Sequence, residues 1–119
     1  MKQTILMAIA AACAVCLLAN FGVTQALGAH PWWAEKVAYI GAGAGILLAI
    51  GMSYFGKWAL PAAIGDLTVS AIITWQGKRM FAASSGDSAL GGVMWYYGWI
   101  AVCAFTVVVV AFLLRRRAV

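Results

Sequence analysis

Four long apolar runs, residues 5–23, 37–55, 60–75 and 93–114, with nearly all the charge confined to the segments between and beside them, decide what this chain can fold into. About 20 apolar residues in a helix rise ~30 Å, the thickness of a bilayer's hydrocarbon core. In that solvent every backbone N–H and C=O must be satisfied within the protein, and for single runs of this length the helix does so. Composition supports the same reading, since 66% of the 119 residues are apolar and 9% are charged, against about 25% charged in a soluble domain. The expected fold is an all-α integral membrane protein, one membrane domain over residues 1–119 built as a bundle of four transmembrane helices.

The first run admits two readings. It is a retained span, or it is the apolar region of a signal peptide, with Lys2 as the basic flank and Ala26 and Gly28 as the small residues of a cleavage site. Retention gives four spans and cleavage three. The second run follows His30-Pro31-Trp32-Trp33, and the fourth opens on Trp95, Tyr96, Tyr97 and Trp99. Amphipathic rings collect at the headgroup level, so Trp32, Trp33, Trp95, Tyr96, Tyr97 and Trp99 are expected as interfacial anchors. In the third run Pro61 fits the first turn, where its missing N–H costs no hydrogen bond. Residues 81–92, rich in Ala, Ser and Gly, are expected as an exposed loop.

Orientation follows from Lys and Arg near the ends of the runs. With the N-terminus in the cytoplasm, Lys2, Lys57, Arg115, Arg116 and Arg117 lie inside, and Lys36, Lys78 and Arg79 outside, five positives against three. The expected location is the cell inner (cytoplasmic) membrane, multi-pass, with residues 115–119 as a basic cytoplasmic tail. Cleavage of the first run leaves the rest oriented the same way. The net charge of +5 is accounted for by this topology, and the basic residues form no stripe with polar and aromatic neighbours of the kind that binds nucleic acid.

Three acids, one histidine and three cysteines are too few for a metal cluster, a haem with two histidine ligands or a catalytic carboxylate pair, so neither an enzyme nor a cofactor is expected. Cys13 and Cys16 form C-x-x-C inside an apolar run with no neighbouring cation to stabilise a thiolate, and are expected to be structural. Gly41, Gly45, Ala49 and Ser53 recur at four-residue steps on one helix face, where small side chains permit close helix packing. The partner is either another helix of the same chain or another protomer. Asp66 is the one acid within a run, and Ser70 and Thr74 continue its face. A lone carboxylate costs about 3 kcal/mol in hydrocarbon. The stripe lines a pore or accepts protons, or else Asp66 sits at the interface near Lys57 while the hydroxyls bond their own backbone carbonyls.

From Ile46 onward the chain resembles the three-span phage holins of the lambda type. The resemblance rests on a Gly/Ala-rich span ending in Met52-Ser53-Tyr54, a span containing Ala71-Ile72-Ile73-Thr74-Trp75, a Ser/Gly/Leu loop, and a last span ending in basic residues. It covers roughly 70 residues. This chain departs from that pattern in a shorter loop between spans, a tail with few charges and the extra run at 5–23. The resemblance implies lateral self-association in the inner membrane that ends in a lesion, with the N-terminus of the three-span unit outside and the C-terminus inside. The expected function is therefore helix packing and self-association with holin-like permeabilisation. Two alternatives stay open: an accessory subunit of a larger respiratory or secretion complex, and a small proton- or ion-coupled carrier using Asp66. The expected partners are the lipid bilayer and further copies or other membrane subunits, with no nucleic acid.

Overall fold

A computed structural model describes residues 2–118; Met1, Val119 and the side chains of Arg117 and Ala118 lie outside the described residues. The architecture is helical, without strands among the described residues. In chain order it comprises α1 (Lys2–Asn20), a single turn α2 (Val23–Ala26), α3 (Ala34–Met52), a 3-10 turn (Ser53–Trp58), α4 (Ala59–Ala83) and α5 (Ala89–Ala118). Three helical segments are long and apolar enough to cross a membrane: Lys2–Asn20, Ala34–Ala83 taken through the 3-10 turn, and Ala89–Arg116. The middle segment is broken at Gly56, whose φ of 59° and ψ of −127° belong to a region that side chains with a β-carbon avoid. The break lets α4 turn back after α3.

The helices α4 and α5 are longer than the apolar runs imply. The expected loop at 81–92 shrinks to Ser84–Ser88, because α4 continues through Lys78 and Arg79 to Ala83 and α5 begins at Ala89. Local hydrogen bonds fix both ends. At the α4 terminus the Gly86 N–H donates to Phe81 O at 2.9 Å, with Ser85 and Gly86 at positive φ, which closes the last turn through a left-handed cap. At the α5 start Ser88 Oγ accepts the Gly91 N–H at 3.0 Å, the N-cap bond that satisfies an otherwise unpaired donor. At the other end, α5 carries its helix through Arg115 and Arg116 to Ala118, so the basic tail is helical as far as it is described.

Packing centres on α5. Helices α1, α3 and α4 all pack on it, α1 and α3 also pack on each other, and α4 packs chiefly on α5. One end of the bundle is filled by Ala8, Ala11, Ala49, Ala63, Val108 and Phe112, the other by Ala19, Val37, Ala38, Trp95, Trp99 and Cys103. The abundance of buried alanine brings backbones close, which is how helices gain packing energy where lipid supplies no hydrophobic drive between them. Arg115 Nη1 donates to Thr4 Oγ1 at 2.9 Å, so the start of α1 and the end of α5 lie side by side.

Candidate functional site

The small-residue face of α3 is occupied within the chain. A β-carbon built on Gly41 would lie 2.5 Å from Cys103 Cβ and 2.7 Å from Ile100 O, and one on Gly45 would lie 2.7 Å from both Ala104 O and Val107 Cβ, all on α5. Ala49 continues the contact and is fully buried. Ser53 is half-buried beyond the end of α3, where its hydroxyl donates to Ile50 O at 2.6 Å. Of the two partners the spacing allowed, the helix of the same chain is the one in contact. Gly43, between these positions, has nothing within 4 Å of a built β-carbon.

The stripe expected from Asp66, Ser70 and Thr74 divides. Asp66 is exposed two turns into α4, ~10 Å from its start, among the exposed Ile64, Val69, Ile72 and Ile73. Ser70 and Thr74 are buried. Four-residue steps on an α-helix advance ~40° each, so over two steps the stripe rotates from the outer flank of α4 into its contact with α5. Thr74 Oγ1 donates to Ser70 O at 2.6 Å, the backbone bonding that satisfies a buried hydroxyl. A β-carbon on Gly98 of α5 would lie 3.0 Å from Thr74 Cα, so Thr74 marks a close helix crossing. Two of the three residues of the stripe are thus covered within the bundle.

The aromatic residues also divide. Trp32 and Tyr97 are exposed, whereas Trp95 and Trp99 are buried inside the bundle and Trp33 and Tyr96 are half-buried. The rings of Trp32, Trp33, Trp95, Tyr96 and Tyr97 form one cluster with His30: Trp33 meets Trp95 edge-on at 5.1 Å and Tyr96 at 5.3 Å, and His30 lies 5.9 Å from Trp33 in a stacked arrangement. The indole N–H of Trp95 donates to Gly28 O at 3.2 Å, which ties the α1–α3 connection to α5. An anchoring role for Trp95 and Trp99 is corrected to a packing role, since both indoles are spent between helices. Of the basic residues, Arg115 is half-buried and lies over the Phe112 ring at 4.8 Å, while Arg116 is exposed.

Between α4 and the α1–α3 connection, with α5 as its floor, lies an open cleft of about 450 Å³. Lys78 and Arg79 stand at it, with Trp75, Trp95 and Trp99 as aromatic walls and Leu27 and Gly28 opposite. The Arg79 guanidinium is held over the Trp75 ring at 4.7 Å. The Lys78 ammonium rests against the connection, 3.0 Å from a β-carbon built on Gly28. A smaller cleft of about 140 Å³ shares Leu27, Trp99 and Val102 with the first and continues along α5 past Cys103 to Thr106. Sequence reasoning assigned Lys78 and Arg79 to topology alone. The signal that could have found the cleft is Trp75 four residues before Arg79, the spacing that stacks a cation on a ring along one helix face.

Close α4–α5 packing through Gly77, Gly91 and Gly98 was likewise not singled out in the sequence. Built β-carbons on Gly77 and Gly91 would lie 2.6 Å from Trp95 N and 2.7 Å from Phe81 N. Asp66 lines neither cleft. Among the described residues no group of three His, Cys, Asp or Glu is placed to hold a metal ion. Comparison with protein-family models, curated proteins and solved structures finds no significant match.

Proposed function

We propose that the chain is a four-span protein of the cytoplasmic membrane, with both termini inside, that works by lateral self-association and permeabilises the membrane in the manner of a holin. The observation that carries this reading is the exposed Asp66 on an outer flank of α4 that is apolar around it apart from Thr68, whose hydroxyl donates to Ile64 O. A carboxylate facing hydrocarbon alone costs about 3 kcal/mol. Gathering copies so that their α4 flanks look onto one another or onto a shared water-filled space removes that cost and supplies a drive for association. Retention of α1 as a span is supported by Ala8 and Ala11, fully enclosed by the bundle, and by the bond between Thr4 and Arg115. The alternating helices put Lys57, Arg115 and Arg116 towards one end and Lys36, Lys78 and Arg79 towards the other, the division that the charge rule reads as inside and outside.

Induced expression should collapse the membrane potential abruptly, followed with a potential-sensitive dye. Asp66→Asn should delay the collapse, and Asp66→Leu should abolish it while the protein still accumulates in the membrane. Harmless accumulation of the unaltered chain would refute the proposal.

A second reading, an accessory subunit of a larger membrane complex, is favoured by one observation: the Gly41 and Gly45 face is already filled by α5, so it asks for no second copy. Under that reading another subunit covers the Asp66 flank. Stoichiometric co-purification with larger subunits in mild detergent, together with an intact membrane potential, would support it. The carrier reading gains no support, because Asp66 opens onto neither cleft.

A further inference from the structure

The two clefts beside α5 adjoin at three shared lining residues and together outline a groove, cationic at its mouth and apolar along its length. Lys78 is nineteen residues beyond Ala59, ~28 Å of helix, so it stands at the headgroup level when the start of α4 stands at the opposite face. From Trp95 at the mouth to Thr106 at the far end is ~16 Å of α5, about one leaflet of a ~30 Å hydrocarbon core. The groove therefore has the length of one acyl chain, beginning where a headgroup begins.

Its chemistry changes along that length in the same sense. At the mouth, Lys78 and Arg79 present two cations, and among the described residues no acidic side chain lines the cleft. Farther in, the lining is Val15, Leu18, Val23, Val102 and Cys103. The two hydroxyls there are consumed by backbone: Thr24 Oγ1 donates to Ala34 O at 2.9 Å and Thr106 Oγ1 to Val102 O at 2.6 Å. What remains is an apolar trough. Trp95, bonded to Gly28 O, braces the connection that forms one lip, so the mouth is framed by structure independent of any occupant.

The geometry points to a binding site for a phospholipid with an anionic headgroup, its phosphate on Lys78 and Arg79 and one acyl chain laid along α5 between α1 and α4. Arg79, fixed over Trp75, offers a planar fork to phosphate oxygens, and Lys78 adds a point charge beside it. The site is separate from the Asp66 flank, and the inference needs only that the helices span a bilayer.

The test uses tryptophan fluorescence of the full chain reconstituted in phosphatidylcholine vesicles, since Trp75, Trp95 and Trp99 line the mouth. Brominated phosphatidylglycerol should quench with an apparent affinity roughly thirtyfold that of brominated phosphatidylcholine, the order expected of two cations near a membrane surface. The preference should vanish in K78Q/R79Q and persist in K36Q, which removes a charge that does not line the groove. Raised salt should erode it in the unaltered chain, an arm independent of any variant's folding. Equal quenching by the two lipids in the unaltered chain would overturn the inference, as would an undiminished preference in K78Q/R79Q. Relief of quenching by inorganic phosphate would also overturn it, by showing a site for a free anion.

Discussion

Replacing Gly41 by alanine adds a single methyl group, and the structure places that methyl 2.5 Å from Cys103 Cβ and 2.7 Å from Ile100 O. Carbon atoms in contact prefer about 3.5–4.0 Å, so α3 and α5 must separate by roughly 1 Å. The neighbour on one side is backbone, which cannot swing away as a side chain would. Separation also loosens the packing around Val37 and Ala38, buried in the same cluster as Cys103. Overpacking of this kind costs about 1–3 kcal/mol, and ~2 kcal/mol lowers the folded-to-unfolded ratio about 30-fold. Gly43→Ala is the matched control, with open space around its methyl and a helix preference that favours alanine by up to ~1 kcal/mol in water. Unfolding in mixed micelles, followed by tryptophan fluorescence, should rank Gly41→Ala below the unaltered chain and Gly43→Ala level with it or above. In a Cys13→Ala/Cys16→Ala background, thiol labelling of Cys103, which is 3% exposed, should accelerate about 30-fold with Gly41→Ala. If both alanine variants behave alike, or Cys103 stays protected, α3 and α5 do not meet through Gly41.

Gly98→Ala should destabilise by about 1–3 kcal/mol in the same micelle assay, and Thr74→Ala should rescue it only in part, because Thr74 Cα itself lies 3.0 Å from the new methyl. Trp95→Phe keeps a ring in the cluster and deletes the donor to Gly28 O; it should cost about 0.5–1.5 kcal/mol and increase proteolysis at the α1–α3 connection. A reporter active only in the cytoplasm, fused after Val119, should be active. An inactive fusion that is stably made would reverse the proposed orientation.

The apolar runs made the helices legible because length and hydropathy together leave a chain in lipid few other choices. Helix ends were less legible. Lys78, Arg79 and the glycines at 91 and 92 look like loop residues by composition, yet the cations lie beside an open cleft and the glycines let α5 approach Phe81. The four-residue spacing of Gly41, Gly45 and Ala49 identified a packing face, but spacing describes one surface and is silent on what covers it. Trp95 and Trp99 show the same limit. A cluster of aromatics near the end of a run signals depth in the bilayer, whereas which rings turn inward depends on neighbouring helices. The two indoles, one turn apart, lie over the Gly91, Gly98 and Cys103 side of α5, and the rings between them turn more outward. The groove needed three separated segments brought together, and no local pattern encodes that.

Because α5 is the surface on which every other long helix packs, and it follows them in the chain, the order of synthesis runs against the order of need. In the proposed membrane topology, while α1, α3 and α4 emerge from the ribosome, only the α1–α3 pair has a substantial partner at hand. Helix α4 then waits with Ser70, Thr74 and Gly77 uncovered until α5 follows. In that topology, quality control should meet an interval in which an incomplete bundle shows a polar helix face. A chain stopped after Ala83 should be held in that state permanently, and pulse-chase labelling should find it degraded faster than the full-length protein. Should it persist as long, α4 has found cover elsewhere.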